Sequence, residues 1–557
     1  MIFSRHNVIP CLIAVILVQP IPLAAQPAWE ARIDVVDPSE SGIAFVHTDG
    51  AGDERTIVET VLGSLALFDY DNDGLIDIYF INGAPLRGRN INPPPRNQLY
   101  RNNGNWTFTN VTEPSGLGDL QYGMGVVVSD YDQDGDADVF LSNFGTDAFY
   151  INQGDGTFVE SAKACGLDAP LRIGAGSSFL DMDNDGDLDL YSASYVSFDY
   201  SKHKTRTIAG RLFHTGPNDY EPAAHYMYRN EGNGTFTDVS DSSGIGALRA
   251  PGMGVLSADL DEDGDMDIFV ANDQRPNFLL INDGKGHFHD DALFAGVAVD
   301  RQGRSNGNMA VDIADFNGDG WLDLFTTTYQ EEMPVLYQAV SPGLFSDSTN
   351  LSRIDPTLNA HVKWGGAGVD FDNDGDRDLF VACGHFLDNI RFIDDRTDVK
   401  VPNYLLANDG RGRFTNVSGQ AGSALKIVES SRGAAFDDLD NDGDVDLVVL
   451  NVNAQATVGR TVSLTKNHSL SLQLVGIISN RDAIGAKVVA HSSQARPQTQ
   501  IVVSGRGYES SYGKRLIFGS GGERITTVEV LWPSGRHEWF DDLTSTAVLI
   551  EGQGKAP

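Results

Sequence analysis

The nonapeptide D-Y-D-N-D-G-L-I-D at residues 69–77 has six further copies, so the pattern begins at Asp69, Asp130, Asp181, Asp259, Asp315, Asp370 and Asp438. Spacings run from 51 residues (Asp130 to Asp181) to 78 residues (Asp181 to Asp259). Self-similarity at this length means a repeat architecture, in which each unit buries its apolar face on its neighbours. Each copy sits in a wider pattern. A Gly-rich apolar run precedes it (G-M-G-V-V-V-S before Asp130), and an alternating run follows (D-V-F-L-S-N). Then come A-F-Y-I-N-Q-G and G-T-F-V-E-S. These are four short β runs, A to D, with the acidic loop joining A to B. Four antiparallel strands repeated radially make a propeller blade, so the expected fold is all-β, a seven-bladed β-propeller.

The last repeat predicts how the ring closes. It has A and B runs and a weaker C run near residues 458–464, but lacks the usual F-x-D-V-x-x-x-S-G. Residues 33–43, I-D-V-V-D-P-S-E-S-G-I, match the D-type segment F-T-D-V-S-D-S-S-G-I of residues 236–245. The amino-terminal segment is therefore expected to supply the outer strand of blade seven, leaving no loose edge.

In D-x-D-x-D-G-x-x-D, side chains at positions 1, 3, 5 and 9 converge on one hard cation, with the position 7 carbonyl as a further oxygen. The candidate ligands are Asp69, Asp71, Asp73, Leu75 and Asp77 in the first loop, and Asp130, Asp132, Asp134, Asp136 and Asp138 in the second. The third and fourth offer Asp181, Asp183, Asp185, Asp187 and Asp189, then Asp259, Asp261, Asp263, Asp265 and Asp267. The fifth offers Asp315, Asn317, Asp319, Trp321 and Asp323. The last two offer Asp370, Asp372, Asp374, Asp376 and Asp378, then Asp438, Asp440, Asp442, Asp444 and Asp446. Leu75, Trp321 and the other position 7 residues would act through backbone oxygen. Of the 28 side-chain slots, 27 are Asp, and position 6 is always Gly, a register that a merely solvated charge run would not keep. Calcium, with six to eight oxygens in flexible geometry, suits such a loop better than Mg2+. An EF-hand needs a carboxylate at position 12 and a following helix. Position 12 is Phe80, Leu141, Ser192, Val270, Thr326, Val381 and Val449, so that reading is excluded.

The net charge of −38, from 78 acidic against 40 basic residues in 557, argues against nucleic acid as a partner. Residues 1–25 combine Arg5, an apolar run at 8–18 and P-L-A-A-Q, which predicts a signal peptide cut after Ala25 and a secreted protein. That run is too short to span a bilayer, and no later segment is apolar enough. With Cys11 leaving, Cys165 and Cys383 remain, too few for a zinc or iron–sulfur site.

The loops resemble the FG-GAP/VCBS repeats of integrin α-subunit propellers, which carry Ca2+ between strands A and B. The wider units, with L-Y-R-N-x-G-x-G-x-F-x-D-V and D-x-D-x-D-G-D-x-D-L-F, resemble the secreted ASPIC/UnbV family, which includes the cartilage acidic proteins. In that family a small β domain follows the propeller. Its marks are present here as Asn480-Arg481-Asp482-Ala483-Ile484-Gly485-Ala486, G-Y-x-S at 507–510, F-G-x-G at 518–521 and Trp532-Pro533-Ser534-Gly535. The resemblance implies a propeller over residues 26–465, an ASPIC/UnbV β domain over 466–553 and up to seven structural Ca2+ ions.

Propeller geometry puts the A–B loops on one face. The long insertions at 83–96, 196–224 and 384–402 lie between B and C, so they belong on the other. They carry Arg87, Arg89 and Arg96; Lys202, Lys204, Arg206 and Arg211; and Arg391, Arg396 and Lys400. Long loops on a rigid scaffold commonly carry function. The expected role is a binding or adhesion module whose insertion face takes a protein patch or an anionic glycan. The alternative is a glycan-active hydrolase or lyase, with His214, Asp219 and Glu221 as an acid–base cluster. No H-E-x-x-H, G-x-S-x-G or P-loop motif supports catalysis.

Overall fold

The computed structural model describes residues 29–492 and 496–557. The expected signal segment, residues 1–25, lies outside the described residues. Seven antiparallel sheets of four strands surround one axis. Blade 1 runs Leu65–Phe68, Asp77–Phe80, Gln98–Asn102 and Phe108–Asn110, and blade 2 runs Tyr122–Ser129, Asp138–Gly145, Ala148–Asn152 and Phe158–Glu160. The A strands of blades 3 to 6 are Arg172–Leu180, Gly252–Ala258, Asn308–Ala314 and Lys363–Val369. Every A strand is buried along its length and packs on the A strands to either side, whereas no D strand buries more than two residues.

Crowding at the axis explains the Gly-rich A runs. A Cβ on Gly125 would lie 2.6 Å from the Ala175 carbonyl oxygen, and one on Gly254 would lie 2.7 Å from that of Met309. A side chain at either position would push neighbouring blades apart.

Blade 7 takes Ser431–Asp437, Asp446–Asn451 and Thr457–Ser463 from late in the chain and Ala31–Val35 from its start. Ala31–Val35 pairs antiparallel with Thr457–Ser463, Ile33 facing Thr461. Ile33 is fully buried. The clasp expected from the sequence is present.

Beyond Ser463 the chain forms two further sheets. One joins Leu516–Gly519, Ser469–Val475 and Thr546–Ile550, and the other joins Gln498–Ile501, Lys487–His491, Thr527–Leu531 and His537–Phe540. Leu472, Ile484, Val488, Val530 and Trp532 form their shared core, which runs on into that of blades 2 to 4. The sequence predicted small β sheets here but not their placement. They sit on the A–B loop face, and a hairpin of Gly505–Arg506 and Ser510–Ser511 enters the channel. Ser511 pairs with Ala66 of blade 1, Val126 of blade 2 donates to the Glu509 carbonyl at 3.0 Å, and Gly507 donates to Val311 of blade 5 at 2.8 Å. Arg506 Nε donates to Asp312 Oδ1 at 2.8 Å. The Tyr508 ring meets Trp364 at 5.2 Å between centroids. From the other end, Ile57, Val58 and Leu62 pack against the same apolar cluster.

Cys165 and Cys383 are both buried and free. Among the described residues, no helix is long and apolar enough to cross a membrane.

Candidate metal centres

All seven A–B loops adopt one hydrogen-bonding scheme, dictated by the motif. The position 1 carboxylate accepts the N–H groups of positions 5 and 6, as in Asp73 to Asp69 Oδ1 at 3.1 Å and Gly74 to Asp69 Oδ2 at 2.8 Å. The position 5 carboxylate accepts from position 7, as in Leu75 to Asp73 at 2.9 Å. Position 9 opens strand B and takes the position 2 N–H on one oxygen and an N–H from strand C on the other. For Asp77 these are Tyr70 at 3.0 Å and Asn102 at 2.7 Å. The scheme recurs at Asp130 and Asp138, Asp181 and Asp189, Asp259 and Asp267, Asp315 and Asp323, Asp370 and Asp378, and Asp438 and Asp446. A strand follows every loop, as the rejection of an EF-hand required.

Position 3 stands apart. Asp71, Asp183, Asp372 and Asp440 each keep one buried carboxylate oxygen with no hydrogen-bond donor. Buried acceptors are normally satisfied, so an unsatisfied one repeated at the same motif position points to a missing electrophile. Oxygens of Asp69, Asp71 and Asp77 lie within 4.8 Å of one another, as do those of Asp130, Asp132 and Asp138, and of Asp181, Asp183 and Asp189. Asp259, Asp261 and Asp263, and Asp370, Asp372 and Asp374, converge likewise. Several Asp triads can therefore hold a metal ion. In the fifth loop Asn317 instead donates to Asp319 at 2.8 Å, tying up one carboxylate.

Burial is the main force on these carboxyls, with neighbouring aspartates adding to it. It pushes Asp77, Asp267 and Asp323 up to about 8 and Asp138 to about 9. Asp130, Asp372 and Asp438 rise to about 7, and Asp189, Asp370, Asp378 and Asp446 stand well above the ordinary carboxylate range. Backbone N–H bonds oppose the shift without cancelling it. A cation within each loop would supply the missing counter-charge.

Two sets of residues that couple the loops escaped the sequence reading. Position 4 takes a left-handed backbone, with φ of 57° at Asn72 and 61° at Asn184. Its amide reaches the next blade: Asn72 to Asp136, Asn184 to Asp265 and Asn373 to Asp444, all at 2.7 Å, and Gln133 to Asp187 at 2.9 Å. Asparagines ending C strands staple blades the other way. Asn152 Nδ2 donates to the Tyr70 carbonyl at 2.9 Å, and Asn230, Asn282 and Asn408 donate to those of Tyr131, Met182 and Phe316. The recurring N-x-G after strand C was the visible signal. Asn152→Ala is expected to cost about 1–3 kcal/mol, because it leaves buried carbonyls unpaired. A urea midpoint unchanged from wild type would contradict that role.

The carboxy-terminal module covers this face. Arg481 approaches Asp130 at 3.4 Å, and Asp482 accepts from the Asp130 N–H at 2.9 Å. Arg515 reaches Asn441 at 2.6 Å, Arg496 reaches the Gly410 carbonyl at 3.0 Å, and Lys487 pairs with Glu262 at 2.6 Å.

On the opposite face the second and third insertions meet through Phe213, Leu387 and Ile390, and the first meets the second where the Arg87 guanidinium lies 4.3 Å over the Tyr200 ring. Most of their cations are already engaged. Arg87 pairs with Glu54, Arg96 with Glu113, Lys202 with Asp199, Arg391 with Asp398, Arg396 with Asp394 and Glu331, and Lys400 with Glu429. Lys204 donates to the Asp219 carbonyl, and Arg211 lies over Phe392. Arg89 and Arg206 form no ion pair among the described residues. His214, Asp219 and Glu221 do not form a trio. His214 Nε2 pairs with Glu59 Oε1 at 2.7 Å, Asp219 caps Gly216, and the Glu221 carbonyl accepts from Ser197.

Two family models agree with this architecture. The family described as FG-GAP-like repeat matches residues 69–141, 130–192, 220–270, 259–326 and 370–449, and the family described as ASPIC and UnbV matches 476–556. Cartilage acidic protein 1 of Mus musculus is 25% identical over 436 residues, spanning 74% of this chain and 62% of that protein. The Homo sapiens protein of the same name is 27% identical over 339 residues, spanning 56% and 48%. The chain thus spans less than two thirds of the length of either relative. Among solved structures, the BP39L lectin from Burkholderia pseudomallei is 10% identical, with a TM-score of 0.42 over 73% of this chain and 97% of its own. The rhamnogalacturonan lyase YesW is 14% identical, with a TM-score of 0.29 over 72% and 90%.

Proposed function

Since the chain belongs to the FG-GAP-like repeat family and ends in an ASPIC and UnbV module, we propose that it is a secreted, calcium-stabilised propeller acting as a binding module. The observation that carries this reading is the unsatisfied position 3 oxygen repeated in the loops of blades 1, 3, 6 and 7. Calcium there would neutralise carboxylates that burial otherwise resists ionising, so its work is structural. Positions 1, 3, 5 and 9 of each loop and the position 7 carbonyl are the proposed ligands, for up to seven ions. The buried channel and the covered A–B face leave the insertion face for recognition of an anionic glycan or protein patch. Residues 1–25 would direct export.

The test is binding to an acidic-glycan array in calcium. Wild type is expected to bind, and Lys202→Glu with Lys204→Glu and Arg206→Glu is expected to weaken binding at least about tenfold, because like charges then face the ligand. Unchanged binding by the triple variant would overturn the reading of this face. Product released from the array would instead mark an enzyme.

A further inference from the structure

The hairpin fills the channel from the A–B side, but a cavity of about 420 Å3 opens at the opposite mouth. Asp49, Glu59, His214, His385, Ser430 and Arg432 are among the residues lining it. Arg432 is only 1% exposed. It lies over the Trp364 ring at 4.1 Å and donates from Nη1 to Ser430 Oγ and the Ser431 carbonyl, each at 3.0 Å. No carboxylate of the described residues pairs with it, and its Nε–H has no acceptor. A buried guanidinium without an anion is a costly arrangement that a bound anion would relieve.

The same cavity offers further polar atoms without partners. Glu59 holds His214 through Oε1 at 2.7 Å, while Glu59 Oε2 and His214 Nδ1 have no partner. Of the other charged groups in the wall, Asp53 is exposed to solvent and the rest are engaged. Arg55 grips Asp388 at 2.7 and 2.8 Å, Lys400 pairs with Glu429 at 2.6 Å, and Asp49 accepts from Asn453 at 2.7 Å. Burial, helped by the Arg432 charge, holds His385 down to about 3, so that imidazole is neutral. The cavity therefore combines one buried cation seeking an anion with a carboxylate oxygen and a ring nitrogen that both lack a hydrogen-bond partner.

We propose that this cavity binds a small polyhydroxylated carboxylate, of which a hexuronate is the type. Its carboxylate accepts from Arg432 Nε, and its hydroxyls donate to Glu59 Oε2 and hydrogen-bond with His214 Nδ1. This deepens, and rests on, the reading of the insertion face as the recognition face.

Calorimetric titration of the full chain in calcium with D-glucuronate, D-glucose and acetate tests it. Glucuronate is expected to bind saturably, with glucose and acetate each at least about tenfold weaker, since each lacks one set of partners. Arg432→Gln is expected to lose at least about tenfold in affinity. Because that buried substitution risks the fold, Ala51→Trp at the half-buried rim serves as a second variant, expected to melt as wild type and lose glucuronate. Absence of saturable glucuronate binding, or undiminished binding by Ala51→Trp, would overturn the proposal. Acetate binding as tightly as glucuronate would also overturn it, by showing an anion site alone. If glucuronate fails while the Lys202, Lys204 and Arg206 reversal still abolishes array binding, the face reading stands and the cavity assignment falls.

Discussion

Chelation with EDTA is expected to lower the melting temperature of the ring by about 10–20 °C, with recovery on adding calcium. At a hundredfold excess over Kd each site adds about 2.7 kcal/mol. A ring of this size shifts by about 1 °C per kcal/mol, given about 2.1 cal/mol/K of unfolding entropy per residue. The pH response distinguishes the structural role from adventitious binding. In EDTA, carboxyls raised by burial, such as Asp77 to about 8 and Asp138 to about 9, favour folding while protonated. That contribution is full below their unfolded values and is lost as pH rises through the folded ones. The chelated protein should therefore gain melting temperature from pH 9 down to pH 5, whereas the calcium increment should shrink over the same window as protons displace the ion. A melting temperature indifferent to EDTA between pH 7 and 9 would show that the loops need no cation.

The second large effect is expected at the hairpin tip. Tyr508 is fully buried against Trp364, and its hydroxyl has no partner. Tyr508→Ala should cost about 3–5 kcal/mol through lost burial and the cavity left behind. Tyr508→Phe should be neutral or stabilising, because it removes an unsatisfied buried hydroxyl. Thermal melts of both variants provide the comparison. A mild alanine variant, or a phenylalanine variant as damaged as the alanine one, would refute the view that the hairpin holds the axis by packing. Hydrogen exchange should rise in the A strands of blades 1, 2 and 5, which lose their axial partner.

What the sequence made legible was whatever lies close along the chain. Positions 1 to 9 of each loop fall within nine residues, so their convergence could be read directly. The Gly-rich A runs recur with the blade, and the amino-terminal clasp was visible because residues 33–43 carry the same D-strand signature as 236–245. Contacts made by blade geometry were not legible. Nothing in the sequence joins Asn152 to the Tyr70 carbonyl, or Glu59 to His214 across 155 positions. The docking of Arg481 and Asp482 on the second loop was hidden too, because the motif marked the module without showing what it touches. The charges of the insertions misled by count alone: most are paired with nearby acids, and Arg432, a buried cation with no paired acid among the described residues, lies outside the insertions.

Blade 7 has an implication for how such a chain comes into being. Its outer strand, Ala31–Val35, is made before any of the blades, yet its partner Thr457–Ser463 follows after six whole blades. The axial hairpin at Gly505–Ser511 comes later still. A growing chain thus holds an open crescent with two raw edges, and both the seam and the axle arrive only after six blades have been made. Whatever shields those edges in the interval, the ring is closed by a strand made before its first blade and pinned by a hairpin made after its last.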